Sequence, residues 1–104
     1  MTDTELPPTL PRRNPDTSFR KIGESGGMVV LPTRSEVKVL NPVGIVVFSL
    51  LDGTRDIDAL AARVAEEFDI AVEQARRDVL EFLRDLQRDG MLSDDTSIPG
   101  EDVR

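Results

Sequence analysis

Between residues 17 and 40, apolar and polar residues alternate in short runs broken by turn formers: TSFRKI (17–22), GMVVLP (27–32) and EVKVL (36–40). GESG separates the first two, and Glu24, Ser25, Gly26 and Gly27 supply the turn chemistry of a hairpin; PTRS separates the second from the third. In the third run Val37 and Val39 share one face, Lys38 and Leu40 the other. The pattern predicts a small antiparallel meander of three strands.

The period then changes. LNPVGIVVFSLLDG (40–53) is rich in β-branched residues, which favour a strand, but its ends signal a helix. Asn41 is an N-cap residue, Pro42 stands at the first helical position, and Gly53 suits a left-handed C′ position. Val43, Val46, Val47, Leu50 and Leu51 fall on one side of a 3.6-residue repeat, with Ile45 and Phe48 on the other. A helix apolar almost all round needs cover from several directions, so this one is expected at the centre of the domain.

Two amphipathic helices follow. DIDALAARVAEEF has Asp56 as N-cap, Asp58 at the positive end of the dipole, and a stripe of Ile57, Leu60, Ala61, Val64 and Phe68. VEQARRDVLEFLRDLQR (72–88) is stopped by Gly90 and carries the stripe Val72, Ala75, Val79, Phe82, Leu83 and Leu86. Leu80 lies off that stripe, on a shoulder shared with Arg76, Arg84 and Gln87, while Asp78, Glu81 and Asp85 cluster opposite. Leu80 either widens the buried face or forms an apolar spot rimmed by arginines, suited to a peptide with apolar and acidic side chains.

Composition changes the picture at the ends and in the chemistry. Residues 1–16 hold four prolines and read as a disordered tail; residues 93–104 read as a disordered acidic tail. That leaves one domain over 17–92, about 75 residues. The chain has no His and no Cys, which removes imidazole catalysis, thiolate nucleophiles, disulfides and the usual zinc ligands together. No apolar run is long enough to cross a membrane and no signal pattern opens the chain, so a cytoplasmic protein is expected. The net charge of −7 disfavours polyanionic partners.

Three strands then three helices, with LNPVG at the junction, LLDG after the first helix, DIDALAARVAEEF as the second and ARRDVLEFLRDLQRDGML as the third, resemble the PqqD family over residues 17–92. The resemblance implies an α+β, winged helix-turn-helix-like domain and a non-catalytic peptide chaperone, the recognition element of ribosomally synthesised, post-translationally modified peptides. Such a domain binds the leader segment of a precursor peptide by strand addition to its third strand, in the groove between that strand and the third helix. It presents the leader to a modifying enzyme such as a radical SAM enzyme or a leader peptidase, in pyrroloquinoline quinone, lasso-peptide or other pathways. Here the resemblance places Glu36, Val37, Lys38, Val39 and Leu40 on one wall and Arg76, Leu80, Leu83 and Arg84 on the other. No cofactor, metal, nucleic acid or membrane partner is expected, on the missing His and Cys, the net charge and the lack of a long apolar run. One departure is at the second helix, where family members often carry Ser or Thr with Glu three residues on; here the positions hold Asp56 and Ala59.

Apart from the resemblance, a short meander must expose an edge strand able to pair with another chain, although Lys38 could equally be a guard against aggregation. The alternative function is a winged-helix DNA-binding regulator. Its recognition helix would carry Glu73, Asp78, Glu81 and Asp85 against four arginines, with Glu73 and Gln74 in the first turn, which gives no net positive charge to meet phosphates. A phosphopantetheine carrier, suggested by DIDAL, is excluded because Ala59 stands where the serine is needed. The Asp56/Asp58 and Asp94/Asp95 pairs read as a helix start and a solvated tail, not as acid/base dyads.

Overall fold

The computed structural model describes residues 10–93. Strands β1 (Ser18–Lys21), β2 (Gly27–Leu31) and β3 (Glu36–Leu40) precede helices α1 (Pro42–Ser49), α2 (Ile57–Phe68) and α3 (Val72–Arg88). The sheet order is β1-β2-β3 with both pairings antiparallel, the meander expected from the sequence. Its tight hairpin depends on Gly26, whose φ is +116°; a Cβ there would lie 2.0 Å from the Leu40 carbonyl oxygen, so no other residue fits. Val29, Leu31 and Leu40 point from one face of the sheet into a core shared with Ile45, Phe48 and Leu83.

β3 runs into α1 without a loop. The Asn41 Oδ1 accepts the Gly44 N–H at 2.7 Å, and Pro42 supplies a preset φ in the first turn. These two end signals, with burial of Ile45, Val47 and Phe48, override the strand preference of the valines. The helix is shorter than its sequence suggests. It closes at Leu50, whose N–H donates to Val47, and Gly53, expected as the C′ residue, lies three positions farther on in the next loop. The most buried side is Gly44, Ile45, Val47 and Phe48, with Val43, Val46 and Leu50 only partly covered.

α2 is capped by the Asp56 carboxylate, which accepts the Ala59 N–H at 2.8 Å. It ends on Asp69 in a left-handed conformation (φ 55°), with the Ile70 N–H closing back onto Ala65. The buried stripe of α3 is Ala75, Val79, Leu83 and Leu86; Val72, expected in it, is 48% exposed because the first turn projects past the core. Phe82 is partly covered rather than buried.

The larger correction concerns the N-terminal boundary. Residues 11–16, expected in a disordered tail, are held against the domain. The Arg13 N–H donates to Leu51 (2.9 Å), Asn14 N–H to Met91 (3.0 Å), Gly53 N–H to Pro11 (3.0 Å) and Ser93 N–H to Arg12 (2.8 Å). Arg12 and Arg13 thereby form antiparallel bridges with Asp52 and Leu92, so this strap ties the loop after α1 to the segment after α3. Ser93, expected in the acidic tail, takes part too. Residues 1–9 and 94–104, the rest of the expected tails, lie outside the described residues.

Arg13 is the centre of the strap. Its guanidinium donates to the Phe48 and Ser49 carbonyls at 3.1 Å each, adding a cation at the C-terminal end of α1, where the Phe48 carbonyl also accepts the Leu51 N–H at 3.2 Å. The Arg13 guanidinium also lies 5.1 Å from the ring centroid of Phe19 and 5.9 Å from that of Phe48, two rings in edge-to-face contact. Nearby, the Thr54 hydroxyl and N–H and the charge of Arg55 hold the Asp52 carboxyl below the usual carboxylate range. Since that value is depressed, the turn's contribution is present above the ordinary carboxylate pKa and is lost as pH falls through the lowered one.

Arg13→Ala should lower stability by about 1–3 kcal/mol, the cost of removing charged donors from one part-buried and one exposed carbonyl together with the ring contacts, and removal of residues 1–14 should lower it further. Thermal melts check this; an unchanged midpoint would mean the strap carries no load. Asn41→Ala should cost about 0.5–2 kcal/mol through loss of the cap, measured by urea unfolding, with no change in the antiparallel register seen by backbone NMR.

Candidate functional site

β3 is an outer strand, and no described residue pairs with its far edge. Which backbone groups face that edge follows from the hairpin. The Ile22 N–H donates to the Gly26 carbonyl at 2.7 Å, and hydrogen-bonded pairs alternate along an antiparallel ladder. Met28 and Val30 therefore turn their backbone groups to β1, while Gly27, Val29 and Leu31 turn theirs to β3, opposite Leu40, Lys38 and Glu36. Only Val37 and Val39 are left to direct N–H and C=O outward. Their side chains are 61% and 79% exposed on the outer face of the sheet, so nothing described covers this edge.

On the inner face, Leu40 is buried and Glu36 and Lys38 are half-buried. The Lys38 Nζ lies 2.8 Å from the Asp89 carboxylate, just past the end of α3, and Arg34 donates to the Asp89 carbonyl at 3.3 Å. These contacts tie β3 and the turn before it to the C-terminal end of α3. Toward the other end of the strand, a cleft of about 320 Å³ opens between the start of α1 and the middle of α3. Val43, Gly44, Val47 and Phe82 make its floor, and Asp78, Glu81 and Asp85 its rim. Gly44 allows the close approach: a Cβ there would lie 3.3 Å from a Phe82 ring carbon and from the Leu40 side chain.

All five β3 residues expected at the site are thus brought to one edge, Val37 and Val39 through their outward backbone. The four expected on α3 are not brought to it. With about 100° between successive residues, Arg76, Leu80 and Arg84 fall on the shoulder of α3 away from Asp78, Phe82 and Asp85. The Arg76 guanidinium pairs with Asp58 of α2, Leu80 is half-buried against the core, Leu83 is fully buried, and Arg84 is exposed. Leu80 accordingly widens the buried face. The sequence displayed the opposing acidic shoulder, but which shoulder meets β3 depends on how α1 turns the chain. Gly44, a glycine inside an otherwise bulky helix, was the one local signal of a close neighbour there.

The acidic pairs weighed for catalysis have structural partners where they are described: Asp56 caps α2 and Asp58 pairs with Arg76. Asp94 and Asp95 lie outside the described residues. Among the described residues no group of carboxylates converges as a metal site.

Comparison with known proteins adds the relationship. The family model described as coenzyme PQQ synthesis protein D (PqqD) matches residues 27–92. A PqqA binding protein of Rhizobium meliloti (strain 1021) is 33% identical over 66 residues, 64% of this chain and 67% of that protein. The fold is similar to that of TbiB1 in complex with the TbiA(beta) leader peptide, with a TM-score of 0.70 at 17% identity, covering 88% of this chain and 99% of that one. It is also similar to the solution structure of the PqqD truncation of Methylobacterium extorquens PqqCD, described as a stand-alone recognition element, with a TM-score of 0.68 at 19% identity, covering 81% and 88%. The two structures speak for the fold; the sequence match, which runs from β2 to the segment just past α3 and so takes in both sides of the groove, speaks for descent. The chain belongs to the PqqD family.

Proposed function

We propose that this protein binds the leader segment of a ribosomally synthesised precursor peptide as a fourth strand on β3 and presents it to a modifying enzyme, such as a radical SAM enzyme or a leader peptidase. The observation that carries this reading is the edge of β3 that no described residue pairs with, where Val37 and Val39 direct backbone groups outward beside a half-apolar cleft. Main-chain pairing of this kind supplies affinity, and pockets for alternate side chains supply specificity. The names of its relatives, a PqqA binding protein and a structure solved with a leader peptide, support it. The protein itself does no bond chemistry: it has neither His nor Cys, and among the described carboxylates Asp56 serves as a cap, Asp58 and Asp89 as ion-pair partners, and Asp78, Glu81 and Asp85 as groove rim. It works in the cytoplasm, in keeping with the reducing compartment that a chain without cysteine tolerates; no helix among the described residues is long and apolar enough to cross a membrane.

Proline scanning of β3 tests the mode of binding. Val37→Pro and Val39→Pro remove outward donors and should weaken binding of leader peptides from neighbouring precursor genes about tenfold or more, with little change in melting temperature. Lys38→Pro removes a donor to β2 and should instead destabilise the domain by about 1–3 kcal/mol. Titration calorimetry beside thermal melts separates the two. Equal binding by the parent and both valine variants would move the site off this edge.

α2 and α3 do form a helix-turn-helix, yet Arg76 and Arg88 are engaged by Asp58 and Asp85. No salt-sensitive affinity for duplex DNA is expected at physiological ionic strength. Sequence-dependent retardation of a promoter fragment would favour the regulator instead.

A further inference from the structure

A strand added to β3 places alternate side chains on the inner face of the sheet, the face of Glu36, Lys38 and Leu40, and so toward α3. At the Leu40 end those side chains meet the cleft floored by Val43, Val47 and Phe82 and rimmed by Asp78, Glu81 and Asp85. We infer, resting on the leader-binding reading above, that this cleft selects a peptide with a lysine or arginine whose stem lies on the apolar floor and whose charge reaches the carboxylates.

Three observations fix the sign of the partner. Among the described residues no Lys or Arg lines the cleft. Asp78, Glu81 and Asp85 are spaced i, i+3 and i+7, so neighbouring carboxylates stand on adjacent turns and repel one another, a repulsion that a bound cation relieves. Their existing partners only partly offset it: Asp85 pairs with the exposed Arg88, Asp78 accepts a long 3.4 Å bond from the Gln74 amide, and Glu81 makes no ion pair with a described residue. The three do not converge as a metal site. A long side chain with an apolar stem and a cationic head matches both parts of the lining, whereas an acidic one matches only the floor. The opposite end of the groove differs, because Lys38 and Arg34 sit there beside Asp89 and Gly90. The requirement for a cation is therefore local to the Leu40 end of the strand.

The probe is a displayed library of random twelve-residue peptides, selected in parallel on the full chain, on Val39→Pro, and on the combined variant Asp78→Asn, Glu81→Gln, Asp85→Asn. Those three residues are exposed or half-buried, and thermal melts verify that the combined variant stays folded. Peptides retained by the parent and lost on Val39→Pro should share a Lys or Arg at a fixed position. Replacing that residue by Gln in a synthetic copy should weaken binding about tenfold, added salt should shrink the difference, and the combined variant should abolish the preference. Edge-dependent peptides without a basic residue, or a basic preference that survives in the combined variant, would overturn the inference while leaving strand addition intact. If no selected peptide depends on Val39, the leader-binding reading fails and the inference falls with it.

Discussion

The hydrogen bond from the Gly44 N–H to the Asn41 side chain sets the arrangement of everything after the sheet. Asn41 alone separates β3 from α1, so no loop absorbs error between them and the direction of the helix is tied to that of the strand. The same turn places Gly44 beneath Phe82, which lets α3 approach the end of β3 closely enough to form a cleft while no described residue pairs with the strand's far edge. An edge of this kind is a liability that proteins ordinarily blunt. Here Lys38, a residue typical of protected edges, is turned inward onto Asp89 and ties the strand to the helix.

The strap of residues 11–14 solves a different problem. α1 is short and apolar, and its last carbonyls form the negative end of its dipole with no basic residue of the helix itself in the last turn. Arg13 supplies donors and charge to those carbonyls and covers the Phe19 and Phe48 rings with its planar head. The backbone on either side of it joins the segments after α1 and after α3, so the two ends of the described chain meet.

Much of the fold was legible because several local signals agreed. Asn41-Pro42, Asp56 and the stripes of α2 and α3 each predicted an element end or a buried face, and the family resemblance supplied their order. The strap was not legible, since PRRN has no apolar period and its bonds are main-chain contacts to residues some 40 and 80 positions away. Half of the site was legible for the opposite reason: strand parity is local, so Val37 and Val39 could be paired in sequence, whereas choosing between the two shoulders of α3 required the path of α1. The arginine shoulder looked the better peptide wall in sequence, but its Arg76 is spent on Asp58 and its Leu80 on the core.

The central claim is that a peptide pairs with the outward groups of β3, and amide hydrogen exchange followed by NMR reads those groups one by one. In the free protein the Lys38 and Leu40 amides, already bonded to β2, should exchange slowly and those of Val37 and Val39 quickly. Adding a bound leader peptide should protect Val37 and Val39 selectively and leave the β1 edge as it was. Protection confined to β1, or to the Arg76 and Arg84 shoulder of α3, with Val37 and Val39 still exchanging freely, would contradict the account.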